Sequence, residues 1–365
     1  SIIVWLFSRD IELAITILVL GCPGALVIGV PVSNVAGIGN GARHGVLLKG
    51  SEVIHDFSKV DTVVFDKTGT LTIGNPKVAD KEIYADNSDE VLGYLASVEN
   101  EAVVEYIGST GVYTVEKTDV VKGGGIVAQV DGHRMAVGNV ALMEQENIHL
   151  SEKAREDIAR FEENGNSLVL TAVDGELKAL MGIRDQIRPG VKEDLQKLKR
   201  LGVKNLVLLS GDNQGTVDLV ARELGLTEAH GHMLPEGKSA YIEDLIDKGQ
   251  IVAFVGDGVN DSPSIALAQI GIAMGGGTDV AIETSDIVLM NSDFSRLPHA
   301  LGLTKATANN MRQNIIIAVG VVLVLLASVF FSEWMNMSIG MLVHEASILV
   351  VILNGMRLLR YKLRY

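Results

Sequence analysis

Apolar positions along this chain follow two patterns. Near both ends they form long unbroken stretches, and between the ends they form short runs that alternate with polar segments. Residues 1–7 are apolar but short, like the tail of a membrane helix that begins earlier, and Ser8-Arg9-Asp10 breaks them off. Residues 11 to about 38 are nearly all apolar and long enough to span a bilayer. A second span is expected over 314–331, preceded by a connecting helix over 300–313, and a third over 339 to about 353. Arg43, His44 and Lys49 follow the first span, Lys305 and Arg312 precede the second, and Arg357, Arg360, Lys362 and Arg364 follow the third. The segment 332–338 holds Glu333 and no Lys or Arg. Basic residues favour the cytoplasmic side, so all three spans give one consistent topology.

Between the spans, β-branched and aromatic runs at 62–65, 206–209, 251–255, 271–274 and 286–289 read as buried strands separated by polar segments, an alternating α/β pattern. An insertion interrupts it. Residues 122–126, 130–132 and 137–139 read as strands joined by glycine turns, and 151–164 as an exposed amphipathic helix. Residues 167–181 form two strands around Asp174-Gly175. Arg188-Pro189-Gly190 then opens a helix with Pro at a start position. The expected organisation is therefore a membrane segment over 1–50, an α/β domain over 51–77 and 183–299, an inserted domain over 78–182, and two membrane helices over 300–365.

Candidate chemistry centres on Asp66-Lys67-Thr68-Gly69-Thr70-Leu71-Thr72. Asp66 ends the strand 62–65, at the carboxyl edge where open α/β sheets place ligands. A carboxylate there can attack a phosphoryl group and carry it as an aspartyl phosphate, and the neighbouring N–H groups and Lys67 suit an anion. In the first span, Gly21-Cys22-Pro23-Gly24 and Pro31 interrupt the helix; Pro23 is expected to free the carbonyl of Val19, and Pro31 that of Val27. Freed backbone within a bilayer is tolerated where it lines a cavity, and the Cys22 thiol beside it suits a soft or borderline metal. His344 and Glu345 lie inside the last span, where ionisable groups are costly and point to function.

Composition narrows the classes further. The chain has 365 residues, enough for two or three domains. Mean hydropathy is positive although 21% of residues are charged, as expected for membrane helices attached to a polar soluble part. The net charge of −14 argues against a nucleic-acid partner. Cys22 is the sole cysteine, so no intrachain disulfide forms. The start lacks the basic region and cleavage site of a signal peptide.

The heptapeptide, followed by Ser210-Gly211-Asp212 and Gly256-Asp257-Gly258-Val259-Asn260-Asp261, resembles the P-type ATPases over nearly the whole chain. The resemblance implies a haloacid-dehalogenase-like Rossmannoid phosphorylation domain, an inserted α+β nucleotide-binding domain and transmembrane helices. It implies that ATP phosphorylates Asp66 with Lys67, Thr68, Ser210, Gly211, Asp212 and Lys238 in the catalytic set. Ser210 bonds phosphoryl oxygens, and Lys238, from Pro235-Glu236-Gly237-Lys238, stabilises the transition state. Mg²⁺ falls to Asp66, Thr68, Asp257, Asn260 and Asp261, since Mg²⁺ prefers a few carboxylates with phosphate and water. The wider superfamily usually has a second Asp, a general acid–base, where Thr68 stands here, so the phosphoenzyme should hydrolyse slowly. In the insertion, Gly123, Gly125, Gly138 and Asn139 match the glycine pattern that lets ATP approach the backbone.

The Cys-Pro-Gly break resembles the triplet of heavy-metal-transporting (type IB) members, and Gly45-Val46-Leu47-Leu48-Lys49-Gly50 their exit from that helix. His344-Glu345-Ala346-Ser347 is a near match to the His-Glu-Gly-Gly/Ser-Thr run of a subgroup linked to cobalt, iron or zinc. Gly24 stands where a second side-chain ligand is common, which weakens copper. Cys22, His344 and Glu345 are thus the expected ligands of a transported divalent metal. Two family motifs do not occur: the Ser-x-His-Pro motif, whose place near Glu99-Asn100-Glu101-Ala102 runs directly into 103–107, and the Thr-Gly-Glu of the actuator domain. The chain is therefore expected to be the C-terminal portion of an exporter in a bacterial cell membrane, with cytoplasmic catalytic domains. Its partners would be lipid, ATP, the metal ion and the rest of the pump. The alternative is a non-transporting membrane remnant or regulator that binds nucleotide or metal; a soluble phosphatase is disfavoured by Thr68 and the spans.

Overall fold

The structure is a computed structural model, and it describes residues 1–98, 113–121, 124–331 and 334–363. Gly123 and the junction at 99–102 lie outside the described residues. The chain divides into two compact units: Ser1–Val63, Glu193–Lys204 and Ile242–Tyr365 form the first, and Val64–Lys192 and Asn205–Tyr241 the second.

In the first unit, three helical stretches are long and apolar enough to cross a membrane: Ile11–Arg43, Arg296–Phe331 and Met337–Arg360. The first is two helices, Ile11–Leu20 and Gly24–Arg43, joined through Cys22 and Pro23. The break is where the proline requires it, but the Val19 carbonyl is not freed as expected. The turn brings the Cys22 N–H within 3.3 Å of it, replacing the bond that Pro23 cannot make. The connecting helix and second span are one continuous 36-residue helix, Arg296–Phe331. The helices are locked by buried amides and hydroxyls. Asn314 Nδ2 donates to the Gly29 carbonyl (2.9 Å) and to Ser33 Oγ (3.0 Å), and Ser33 donates to Asn310 Oδ1 (2.7 Å). Such bonds hold membrane helices together where no hydrophobic difference between lipid and side chain can. The soluble part of this unit has four strands side by side in the order Val46–Leu48, Ile287–Leu289, Ile270–Met274, Val252–Gly256. The last three are parallel and almost wholly buried, which explains their unbroken apolar sequences.

In the second unit, the end of the strand Thr62–Asp66 neighbours Asn205–Leu209, which pairs in parallel with Glu228–His230. The insertion is a six-stranded antiparallel sheet in the order Thr72–Ile83, Glu176–Ile187, Ser167–Val173, His133–Gly138, Gly125–Val130, Val115–Val121. Both faces are covered. Ala136, Leu170, Ala172 and Leu180 join one core with Ile158 and Phe161 of the helix Glu152–Glu163. Met135, Val137, Val173 and Met181 join another with Tyr94 and Leu95 of the helix Ser88–Val98. Successive strand residues thus serve opposite cores, as the two-residue period demands. Past this sheet, Pro189 is not at a helix start: Gly190 takes φ +79°, the chain turns once more, and the helix opens at Val191.

Candidate active site

Asp66 ends its strand in extended conformation, and the chain then coils through Lys67–Leu71 in a tight turn. That turn requires φ +75° at Gly69, a conformation that disfavours any side chain. Thr72 ties the turn from within: its hydroxyl oxygen accepts the Gly69 N–H (3.3 Å) and lies 3.1 Å from the Lys67 carbonyl oxygen. The neighbouring strand Asn205–Leu209 ends at Ser210, which is buried and whose hydroxyl accepts the Asp212 N–H (3.2 Å).

Two lysines divide the charge. The Lys238 ammonium, on the helix Pro235–Asp247, lies 2.5 Å from Asp66 Oδ1, with side-chain exposures of only 8% and 13%. Lys67, adjacent in sequence to Asp66, turns instead to Asp212 Oδ2 at 2.5 Å. A buried ammonium needs a partner, and each lysine has a carboxylate. Lys238 thus pairs with Asp66, and Lys67 with Asp212. Thr68 is exposed and offers no carboxylate.

Two residues that the sequence did not single out as functional hold this loop. Arg188 donates from Nε to the Thr70 carbonyl (3.0 Å) and from Nη2 to the Gly69 carbonyl (2.7 Å). Asp185 accepts the Thr72 hydroxyl and the N–H groups of Gly74 (3.1 Å) and Asn75 (3.2 Å). A cavity of about 620 Å³ opens here, with Lys67, Arg184 and Asp185 in its wall. Its size falls within the range of small-molecule sites.

In the first unit, Asp257 is half-buried beyond the strand Val252–Gly256, Asn260 is exposed, and Asp261 is buried with its carboxylate against Gly256. Hard oxygen donors of this kind fit Mg²⁺ rather than a softer ion. Within the membrane helices, Cys22 is exposed at the break, and His344 reaches the same break. A Cβ at Gly24 would come within 2.9 Å of His344 Nε2, so the missing side chain is the space the imidazole uses. Glu345 is exposed on the same helix.

The sequence matches the haloacid dehalogenase-like hydrolase family over residues 60–269. It is 38% identical to the zinc-exporting P-type ATPase of Mycobacterium marinum and 37% identical to the manganese-exporting P-type ATPase of Mycobacterium tuberculosis. Each match covers 100% of this chain, and 51% and 52% of those proteins. The fold superposes on the crystal structure of a zinc-transporting PIB-type ATPase in the E2.Pi state with TM-score 0.80 and 33% identity, covering 98% of this chain and 60% of that one. The chain belongs to the haloacid dehalogenase-like hydrolases, as a heavy-metal P-type ATPase chain. It spans about half the length of the curated relatives it matches.

In this P-type ATPase chain the second unit brings together Asp66, Lys67, Ser210, Asp212 and Lys238. Gly211 follows Ser210 at the surface, with nothing closer to a would-be Cβ than the Met233 carbonyl at 3.6 Å. The expected nucleotide glycines have a structural task of their own. Gly125 and Gly138 are register partners, and a Cβ on either would fall within 2.2 Å of a backbone carbonyl. Asn139 caps the next helix by accepting the Leu142 N–H at 3.0 Å. The clue to Asp185 and Arg188 was their position where the chain returns from the insertion to the α/β pattern.

Proposed function

We propose that this chain carries the phosphorylation machinery and part of the metal path of an ATP-driven exporter of a divalent transition metal, of the zinc, cobalt or iron type, in a bacterial cell membrane. An oxygen of Asp66 attacks the γ-phosphorus of ATP, the bond to the bridging oxygen breaks, and ADP leaves, with the phosphoryl group on the Asp66 carboxylate. Lys238 exchanges its carboxylate partner for the incoming phosphoryl oxygens, so positive charge is present before the transition state forms. Ser210 and the Thr68 N–H complete the anion site, and Lys67 keeps Asp212 in position. Asp66, Thr68, Asp257, Asn260 and Asp261 would hold Mg²⁺, which would neutralise phosphate charge when bound. ATP enters through the cavity walled by Lys67 and Arg184 and along the glycine strands at Gly125 and Gly138, with Asn139. Cys22, His344 and Glu345 take the transported ion. One thiolate, one imidazole and one carboxylate form a harder set than several thiolates, and suit a divalent ion better than Cu(I). The zinc- and manganese-exporting relatives agree with a divalent cargo.

The observation that carries this reading is the 2.5 Å approach of the Lys238 ammonium to Asp66. Incubation with γ-labelled ATP and Mg²⁺ should give an acid-stable, hydroxylamine-sensitive phosphoenzyme that Asp66→Asn lacks. Equal labelling of Asp66→Asn would overturn it.

A further inference from the structure

We propose that a cationic cavity at the cytoplasmic end of the helix Arg296–Phe331 binds the phosphate headgroup of an anionic phospholipid. The cavity measures about 450 Å³ and lies wholly within the first unit. Its wall carries Lys59, Lys305, Arg312 and His55, and no carboxylate. In a chain of net charge −14, a cavity with three basic side chains and no acid has a selective electrostatic character.

Helical geometry makes the site. His55, Ser58 and Lys59 follow one another at helical spacing at the end of the helix Ser51–Phe57. Lys305, Ala308, Arg312 and Ile315 recur every three or four residues along one face of Arg296–Phe331. Two contacts fix the walls: Lys305 Nζ donates to the Ser58 carbonyl (2.8 Å), and Lys59 Nζ lies 2.8 Å from His55 Nε2. Arg312 and Lys59 remain exposed, and their donors are in reach of a ligand.

The apolar end of the cavity separates a lipid from a free anion. Ile315 lies in the wall and also begins a stripe of exposed apolar residues, Ile315 (39%), Val319 (42%) and Leu323 (61%), spaced four apart down the span. A phosphodiester seated among the cations would leave its acyl chains along this stripe. Inorganic phosphate would leave the stripe unused. Basic pockets between membrane helices on the cytoplasmic side are suited to anionic headgroups, and each Lys or Arg near such a surface strengthens the attraction about fivefold.

The test uses the chain in nanodiscs of phosphatidylcholine doped with phosphatidylglycerol, with retained lipids counted by native mass spectrometry. Phosphatidylglycerol should be retained over phosphatidylcholine. The double variant Lys59→Gln/Arg312→Gln should weaken retention more than tenfold, Arg312→Lys should restore most of it, and Arg360→Gln, outside the cavity, should change nothing. Thermal unfolding of each variant distinguishes loss of the site from loss of the fold. Equal retention of the two lipids, an unaffected double variant, or full displacement by inorganic phosphate would overturn the proposal, the last by assigning the cavity to a soluble anion.

Discussion

At the scale of single residues, the loop around Asp66 depends on partners more than a hundred positions away. Arg188 contributes two side-chain bonds to the carbonyls of Gly69 and Thr70, and Asp185 binds Thr72 from the other side. Hydrogen bonds from a charged donor are among the stronger ones, so Arg188→Ala should lower the stability of this unit by about 2 kcal/mol. Because this loop carries Asp66, on the proposed function it should also slow phosphoenzyme formation about tenfold, since small misplacements of reacting groups are costly. Urea unfolding and rapid-quench labelling measure the two effects, and an unchanged labelling rate would remove Arg188 from the positioning of Asp66. The placement of Asp66 at the end of its strand was legible because the strand, the carboxylate and the turn are contiguous in sequence. Asp185 and Arg188 were not, because the whole insertion separates them from the loop and spacing carries no signal across it. The division of the lysines was hidden for a related reason: adjacency in sequence put Lys67 next to Asp66, while the turn aims its side chain at Asp212.

At the scale of elements, the broken helix is the clearest case of sequence setting local structure. Pro23 placed the break, but its consequence had to be seen: the turn satisfies Val19 through Cys22, and the lack of a side chain at Gly24 admits His344. Gly24 begins a helix with ordinary backbone angles, so Gly24→Ala carries no conformational penalty and should leave stability unchanged or raise it by up to about 1 kcal/mol. The added methyl group must nevertheless displace the imidazole. Affinity for a divalent metal, read by titration calorimetry, should fall about tenfold with no loss of thermal stability. Undiminished affinity would show that His344 does not ligate from this position. The inserted sheet was less legible. Its glycine turns and its amphipathic helix were apparent, but the crowding that makes Gly125 and Gly138 necessary arises only when their strands pair.

At the scale of the whole chain, the three apolar stretches and their basic flanks predict that the segment between the last two faces outward and the soluble segments face inward. The single cysteine makes this directly testable. In a Cys22→Ser background, a membrane-impermeant maleimide should label Trp334→Cys on intact cells. Ser51→Cys should react only after permeabilisation, and the reverse pattern would invert the topology. The inserted sheet is carried on one antiparallel ribbon, because its entering and leaving strands, Thr72–Ile83 and Glu176–Ile187, pair from Thr72 with Ile187 to Ile83 with Ala179. A two-stranded ribbon resists stretching and in-plane shear but flexes across its face, and the irregularities near Pro76 and Val78 give it places to do so. Any rocking of the sheet is thereby confined to one direction and delivered at a fixed point, where Asp185 and Arg188 grip the turn that carries Asp66. A tilt of the sheet would therefore bear on the turn that carries Asp66.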